Sequence, residues 1–214
     1  MLGVVVIDVV VPARDDAATL AAVLRAIPAR MVRSVVVVDR ASRDRTAEIA
    51  RDAGALVLRE HTGGYGAACQ RAQAHFTSLP RVPELLVFVP GNRPAAAAMI
   101  APLVAPLESR GLELVLGTDS TKHALGERIV IGLIDTVYRH RWSGVGGVRA
   151  IRFPALVALG MRDRGAGWDV EMLVRATKLG LTSDEVALPA EEGIAKTKVG
   201  SRALLHILRH ATMR

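Results

Sequence analysis

Short β-branched runs alternate along the chain with stretches in which apolar residues recur at helical spacing. The runs predict strands over Val4–Val11, Ser34–Asp39, Ala55–Arg59, Leu85–Val89 and Leu112–Leu116. The stretches between them predict helices over Ala17–Ile27, Arg43–Ala53, Gly66–Thr77 and Ala95–Leu107. This alternation is typical of an α/β fold, with a mainly parallel central sheet and helices on both faces.

The second half of the chain is less regular. It predicts helices over Gly126–His140 and Trp168–Leu179, strands over Val148–Arg152 and Ser183–Leu188, and a basic amphipathic helix over Ser201–Met213. No repeat or long linker divides the 214 residues, so we expect one domain. Asp15 or Asp16, and Ser42, are the candidate N-caps of the first two helices.

Composition narrows the choice of partner. The formal net charge of +7 favours anionic ligands, such as phosphates or a membrane surface, although abundant arginine also fits a general compositional bias. Aromatic residues are only 3% of the chain, too few for a platform that stacks bases, and no nucleic acid partner is expected. The single cysteine excludes an internal disulfide and a thiolate-cluster metal site. No apolar run is long enough for a membrane helix, and no basic region precedes the first strand as in a signal peptide.

Candidate chemistry follows the strands, where open parallel sheets bind their ligands. The first strand ends in Pro12-Ala13-Arg14-Asp15-Asp16, and the second in Val38-Asp39-Arg40-Ala41-Ser42-Arg43-Asp44-Arg45-Thr46. Asp39 is placed to meet a base or a ribose, or to stabilise a turn. The segment Thr62-Gly63-Gly64-Tyr65-Gly66-Ala67 opens a helix, where glycine amides can approach an anion or simply form a tight turn.

Taken together, these motifs resemble those of the family-two glycosyltransferases. The family has Pro-Ala-Tyr-Asn-Glu after its first strand and Val-Asp-Asp-Gly-Ser-x-Asp-Gly-Thr after its second, and often an Asn-x-Gly-Tyr-Gly-Ala loop. Later segments extend the similarity to the branch that makes polyprenyl-phosphate (dolichyl-phosphate) sugars. These are Val148-Arg149-Ala150-Ile151-Arg152, Leu159-Gly160-Met161-Arg162-Asp163, Gly167-Trp168-Asp169-Val170-Glu171-Met172 and Lys196-Thr197-Lys198-Val199-Gly200.

The resemblance implies a GT-A fold with a nucleotide-binding half over residues 1–92 and an acceptor-binding half over residues 93–214. It implies a site for a UDP- or GDP-type nucleotide sugar at Pro12, Ala13, Arg14, Asp16, Asp39, Arg40, Ser42, Gly63, Gly64, Tyr65, Gly66 and Arg93. On the acceptor side it implies Arg149, Trp168, Lys196 and Lys198 as binding residues, with Trp168 equally compatible with the core. Glu171 and Asp169 are the candidate catalytic carboxylates. At i and i+2 of a helix they point to different faces, and the resemblance favours Glu171.

The departures from the family pattern concern the metal. The family holds Mg²⁺ or Mn²⁺ through an Asp-x-Asp after its fourth strand, but here Pro90-Gly91-Asn92-Arg93-Pro94 follows that strand without a carboxylate. Arg40 replaces the second aspartate of the earlier pair, and Gly144 replaces an acidic residue. No metal ligands are therefore assigned. Arg14, Arg40, Arg43, Arg45 and Arg93 follow strands and form a cluster that would replace the cation, or an ordinary solvated rim.

Two functions from different classes remain open. The first is transfer, with inversion, of a sugar from a nucleotide diphosphate to an acceptor such as a polyprenyl phosphate, without metal. The second is a catalytically degenerate member that binds nucleotide sugars or acts as a scaffold, since both metal-binding aspartates are missing. A nucleotidyltransferase or Rossmann-type binder is a third reading, which the acceptor-side motifs disfavour. The basic, apolar-faced C-terminal segment suits either the inner face of a membrane, in an otherwise cytoplasmic protein, or docking on the domain.

Overall fold

The structure is a computed structural model that describes residues 5–119, 125–140 and 142–190. Its first half contains four strands and four helices that alternate. These are β1 (Ile7–Ala13), α1 (Leu20–Ala26), β2 (Val32–Asp39), α2 (Thr46–Asp52), β3 (Leu56–Arg59), α3 (Tyr65–Thr77), β4 (Leu85–Phe88) and α4 (Pro94–Ala97). The second half contains α5 (Ile100–Ser109), β5 (Leu114–Asp119), α6 (Leu125–Tyr138), β6 (Val148–Arg152), α7 (Phe153–Leu159), α8 (Trp168–Leu179) and β7 (Ser183–Leu188).

The seven strands form one sheet in the order β3-β2-β1-β4-β6-β5-β7. Strands β1 to β4 are mutually parallel, and β5 pairs in parallel with β7. Only β6, within the described sheet, runs against its neighbours β4 and β5. The predicted mainly parallel α/β sheet is therefore confirmed. The chain leaves β1 toward β2 on one side and places β4 on the other, which creates a topological switch point between β1 and β4.

Alternate strand residues supply two cores, one on each face of the sheet. In β1, Val10 faces the core that contains α3 and α8, whereas Val9 and Val11 face the core that contains α1 and α5. Both faces are apolar because helices cover both, as expected for a parallel sheet. The few aromatic side chains include Phe88 and Trp168, which pack together with ring centroids 6.4 Å apart.

The observed helices differ from the predicted ones in two places. The predicted helix Ala95–Leu107 is two helices, because Pro102 has no N–H to bond the preceding turn and lies instead in the first turn of α5. Helix α7 was not predicted, although Pro154 in its first turn and the left-handed Gly160 at its end are both helix-boundary signals.

The predicted N-caps are wrong. Thr19 and Arg45 precede the first residues of α1 and α2. The N–H groups of Thr19 and Leu20 instead donate to the main-chain oxygen of Asp16. The predicted C-terminal helix Ser201–Met213 lies outside the described residues. Within those residues, no helix is long and apolar enough to cross a membrane.

Candidate functional site

A cavity of about 290 Å³ opens at the carboxyl ends of β1 and β4, at the switch point of the sheet. Strand β6 runs in reverse and so contributes the residue before its start. The cavity is lined by Pro12, Arg14, Asp16, Arg40, Tyr65, Pro90, Asn92, Arg93, Gly147, Ala166 and Asp169. Six of the predicted nucleotide-sugar residues and one predicted catalytic residue therefore meet in one place.

The loops after β1 and β2 are held together by side chains of the segment Val38–Thr46, which we call the second motif. Ser42 Oγ accepts the Asp15 N–H at 3.0 Å, and Thr46 Oγ1 accepts the Asp16 N–H at 2.8 Å. In the opposite direction, Asp15 Oδ1 accepts the Arg43 N–H at 2.7 Å. The second motif thus fixes the loop from which Arg14 and Asp16 reach the cavity. Ser42 itself does not line the cavity.

Three arginines line the cavity from different loops. Arg14 follows β1 and is exposed, Arg40 follows β2, and Arg93 follows β4 with only 7% of its surface exposed. The Arg40 Nε atom is buried and has no hydrogen-bond partner in the part of the chain that the structure describes. Arg43 and Arg45 do not line the cavity; the Arg45 Nε donates to the Glu48 carboxylate at 2.7 Å on the surface. The cluster of five that the sequence predicts is a cluster of three.

Asp16 is the carboxylate on the β1 side of the cavity. Burial raises its pKa above the ordinary value, although the Arg14 main-chain N–H, which donates to Asp16 Oδ2 at 2.9 Å, and the charge of Arg40 act in the opposite direction. Gly91 packs directly beneath it. A Cβ atom at position 91 would lie 2.8 Å from Asp16 Oδ2 and 3.0 Å from Ala13 Cβ.

Asp169 is the carboxylate on the opposite wall, in the first turn of α8. Its Oδ1 accepts a hydrogen bond from Arg149 Nη2 at 2.6 Å, and Arg149 Nη2 also donates to the Gly146 main-chain oxygen. Burial raises the pKa of Asp169 to about 6, and the Arg149 guanidinium limits that rise. Arg149 is fully buried and does not line the cavity, so it acts on the site through Asp169.

Glu171, the carboxylate that the resemblance favoured, points the other way. It is fully buried, and its Oε2 accepts the N–H groups of Arg162 and Asp163 at 2.9 and 2.7 Å. Its Oε1 accepts the Arg175 Nε–H at 2.8 Å. Glu171 therefore fixes the loop that precedes α8. The preference for Glu171 over Asp169 at the cleft is wrong because the packing of α8 turns position 169, not 171, toward the cavity.

The glycine segment does not present its amides to the cavity. The N–H groups of Gly64 and Ala67 donate to Arg164 O, and that of Gly66 donates to Gly165 O. A Cβ at Gly66 would lie only 2.2 Å from Asp163 O, so glycine is needed for close packing against this loop. Of the four predicted positions here, only Tyr65 lines the cavity. Its hydroxyl donates to Gly147 O at 3.4 Å, and burial raises the pKa of its phenol.

The remaining predicted positions lie behind the cavity or beyond the described residues. Asp39 is buried and accepts the Ser42 N–H at 3.1 Å, the turn role that the sequence left open. Ala13 is buried beneath the cavity, and Trp168 is fully buried in the core. Lys196 and Lys198 lie outside the described residues. The sequence did not predict Pro90, Asn92, Gly147 or Ala166; Pro90 and Asn92 were recognisable from their place after a strand, whereas Gly147 required knowledge of the reversed β6.

The described residues do not fit a resident divalent cation. In residues 5–119, 125–140 and 142–190, no three His, Cys, Asp or Glu side chains are grouped as metal ligands. The loop after β4 supplies Asn92 and a guanidinium, whereas Mg²⁺ and Mn²⁺ prefer carboxylate oxygens.

The mostly parallel seven-strand sheet is that of a GT-A type glycosyltransferase fold. Solved structures of glucosyl-3-phosphoglycerate synthase from Mycobacterium tuberculosis share it. The complex with phosphoglyceric acid superposes with a TM-score of 0.80 at 21% identity, covering 96% of this chain and 80% of that one. The complex with Mn²⁺, UDP and glucosyl-3-phosphoglycerate gives a TM-score of 0.77 at 20% identity, with the same coverage.

The chain belongs to glycosyltransferase family 2. The family model for glycosyl transferase family 2 matches residues 8–79. An uncharacterized glycosyltransferase of Mycobacterium tuberculosis is 31% identical over 182 residues, which cover 81% of this chain and 80% of the relative. The family that the motifs indicated is thus confirmed. The narrower assignment to the polyprenyl-phosphate branch finds no specific support, as the solved neighbours are named glucosyl-3-phosphoglycerate synthases.

Proposed function

We propose that this protein transfers a hexosyl group from a nucleoside-diphosphate sugar to a phosphate-bearing acceptor, with inversion at the anomeric carbon. The observation that carries the proposal is the switch-point cavity, where Arg14, Arg40 and Arg93 face Asp169 across the space between β1, β4 and α8. Guanidinium groups recognise phosphate oxygens, and a buried carboxylate on the opposite wall can receive a proton.

The donor diphosphate is assigned to the arginine side of the cavity. The solved neighbours bind UDP and UDP-glucose, which makes UDP-glucose the first donor to test. From the glycine segment only Tyr65 lines the cavity, and the N–H groups of Gly64, Gly66 and Ala67 are not assigned to the donor because they donate to the main-chain oxygens of Arg164 and Gly165.

The proposed acceptor class is defined by the phosphate group that two candidate acceptors have in common. The family resemblance pointed to a polyprenyl phosphate, whereas the solved neighbours bind phosphoglyceric acid. Both present a phosphate to a basic protein of net charge +7. We favour the small soluble acceptor, since the fold neighbours bind one.

In the proposed step an acceptor oxygen attacks the anomeric carbon as the bond from that carbon to the diphosphate oxygen breaks. The electron pair of the broken bond leaves with the nucleoside diphosphate. When the attacking oxygen belongs to a hydroxyl, its proton passes to Asp169. A pKa of about 6 makes this carboxylate a better base than an ordinary aspartate while leaving it mostly ionised at neutral pH.

The test is release of UDP and formation of a glycosylated product from UDP-glucose, with 3-phosphoglycerate in one arm and polyprenyl phosphate in detergent in the other. Asp169→Asn is expected to reduce kcat by about 100-fold or more, as loss of a general base does, and to leave UDP binding intact. Asp52→Asn, the same change on the exposed end of α2, is the control and is expected to be silent. UDP binding without turnover of any donor and acceptor pair would contradict transfer and favour the degenerate binding protein.

The pH dependence gives a second test of Asp169. Because the base must be ionised, kcat/KM is expected to rise with pH through about 6. Removing the nearby positive charge in Arg149→Met should move that midpoint to higher pH, a shift that a merely structural role of Arg149 would not produce.

The same pKa predicts how stability depends on pH. The pKa of Asp169 is higher in the folded protein than in the unfolded chain, so the contribution of Asp169 to stability falls as pH rises from about 4 through 6. Asp169→Asn should lack that fall, as urea titrations at several pH values can measure.

A further inference from the structure

The chemical problem in the proposed transfer is the negative charge that develops on the departing diphosphate. A divalent cation is one way to neutralise it, and correctly placed guanidinium groups are another. Among the described residues, three guanidinium groups and two carboxylates, Asp16 and Asp169, line the cavity. Arg149 pairs with Asp169 from behind, so the described lining residues together with Arg149 carry an excess of positive charge.

The packing beneath the cavity disfavours any side chain at position 91 of the loop after β4. A side chain at Gly91 would have to displace the Asp16 carboxylate, which is held by the Arg14 N–H at 2.9 Å, and would press on Ala13. Two positions further on, the chain carries Arg93, which is nearly buried and lines the cavity. The loop after β4 therefore brings the Asn92 amide and the Arg93 guanidinium, but no carboxylate, to the cavity.

Arg40 provides independent evidence for an anionic ligand. Its Nε–H is buried without a hydrogen-bond partner in the described residues, and the residue lines the same cavity. A buried, unsatisfied donor is costly, and it marks a place where a ligand oxygen can complete the hydrogen bonding.

We propose that Arg40 and Arg93, with Arg14 at the rim, take the place of the divalent cation and bind the donor diphosphate directly. The inference rests on the proposed function. As the bond to the anomeric carbon breaks, its electron pair passes to the phosphate oxygen, and these guanidinium groups stabilise the charge. The nucleotide therefore binds in the absence of metal.

Calorimetric titration of the full chain with UDP and GDP, first in EDTA and then in Mn²⁺, tests the proposal. At least one nucleotide should bind in EDTA. Mn²⁺ should change the Kd of that nucleotide by less than about 3-fold, since binding of the diphosphate uses arginines and no metal ion. Arg40→Gln and Arg93→Gln should each weaken binding by about 10- to 100-fold, as expected for loss of a charge-assisted hydrogen bond. Arg45→Gln, which removes an arginine of the same motif that lies outside the cavity, should bind like the wild type.

The outcomes separate the inference from the function on which it rests. Binding only in Mn²⁺, with stoichiometric nucleotide-dependent uptake of Mn²⁺ in electron paramagnetic resonance, would overturn the arginine site and leave the proposed transfer standing. No binding of either nucleotide under both conditions would overturn both. The comparison of wild-type protein in EDTA and in Mn²⁺ does not depend on whether any variant folds.

Discussion

Two loop systems border the same sheet edge, and the family motifs assign both to the nucleotide sugar. The loops after β1 and β2 are fixed to each other by Ser42 and Thr46, and they present Arg14 and Arg40 to the cavity. At the start of α3, Gly64, Gly66 and Ala67 instead donate their N–H groups to the Arg164 and Gly165 main-chain oxygens, in the loop that Glu171 fixes from α8. The polar groups of the segment after β2 hold the loops after β1 and β2 together, and we call these two loops the β1–β2 platform. The N–H groups of the glycine segment instead join the start of α3 to the 163–165 loop, a contact that we call the junction.

The largest effect on stability is expected from Gly66→Ala. Its Cβ would lie 2.2 Å from Asp163 O, and relieving this clash should cost about 3 kcal/mol of the free energy of unfolding. Nucleotide affinity of the folded fraction should change little, since Gly66 does not line the cavity. Urea unfolding measures the first effect and calorimetry the second. Gly132→Ala, in a helix with nothing near the added atom, is the matched control and should not destabilise. Intact stability with lost binding in Gly66→Ala would return this segment to the donor site.

Glu171→Gln tests the other side of the same junction. The amide cannot accept from Arg162, Asp163 and Arg175 together, so we expect a loss of about 2 kcal/mol in urea unfolding. Transfer by the folded enzyme should fall far less than in Asp169→Asn. Equal losses of kcat in both variants, with unchanged stability in Glu171→Gln, would make Glu171 the catalytic carboxylate after all.

Thr46→Val probes the β1–β2 platform. It removes the acceptor of the Asp16 N–H and should cost about 1 kcal/mol in stability. Because the loosened loop carries Arg14 and Asp16, nucleotide affinity should also fall, unlike in Gly66→Ala. Calorimetry and urea unfolding of both variants test this contrast: Thr46→Val should lose nucleotide affinity with little loss of stability, and Gly66→Ala should lose stability with little loss of affinity.

The smallest effect is a gain. Ala41 has a φ of +54°, in the left-handed region, at the place where the family motif has glycine. Ala41→Gly should relieve this strain and raise the free energy of unfolding by about 0.5–1 kcal/mol, without altering the cavity. A destabilised variant would show that the backbone here is held without strain.

The strands and helices were largely predictable from the sequence because buried apolar residues recur at different spacings in the two kinds of element. Val148–Arg152, Trp168–Leu179 and Ser183–Leu188 match the observed elements to the residue. The sequence did not reveal α7, or the direction of β6, which is a matter of tertiary pairing rather than of local pattern. That direction brings Gly147 to the cavity.

The sequence predicted those parts of the candidate site that follow from a residue's position after a strand. It did not predict those that follow from the packing of helices and loops. Arg14, Arg40 and Arg93, which the sequence places in the loops after strands, all line the cavity at the carboxyl ends of β1 and β4. The choice between Asp169 and Glu171 depended on how α8 is rolled against its neighbours, which no spacing of two residues can tell. The glycines of the Thr62–Ala67 segment predict either a ligand contact or a tight turn, because a close approach to a phosphate and a close approach to a carbonyl require the same residue.

The contact between Gly91 and Asp16 bears on how this chain could change in evolution. A carboxylate gained at position 91 would arrive in space that Asp16 and Ala13 already fill, so it would cost stability before it could hold an ion. A metal ligand at this position therefore requires a second change in the loop after β1. The tight fit at one glycine makes the gain of a carboxylate there a two-step path whose first step is unfavourable.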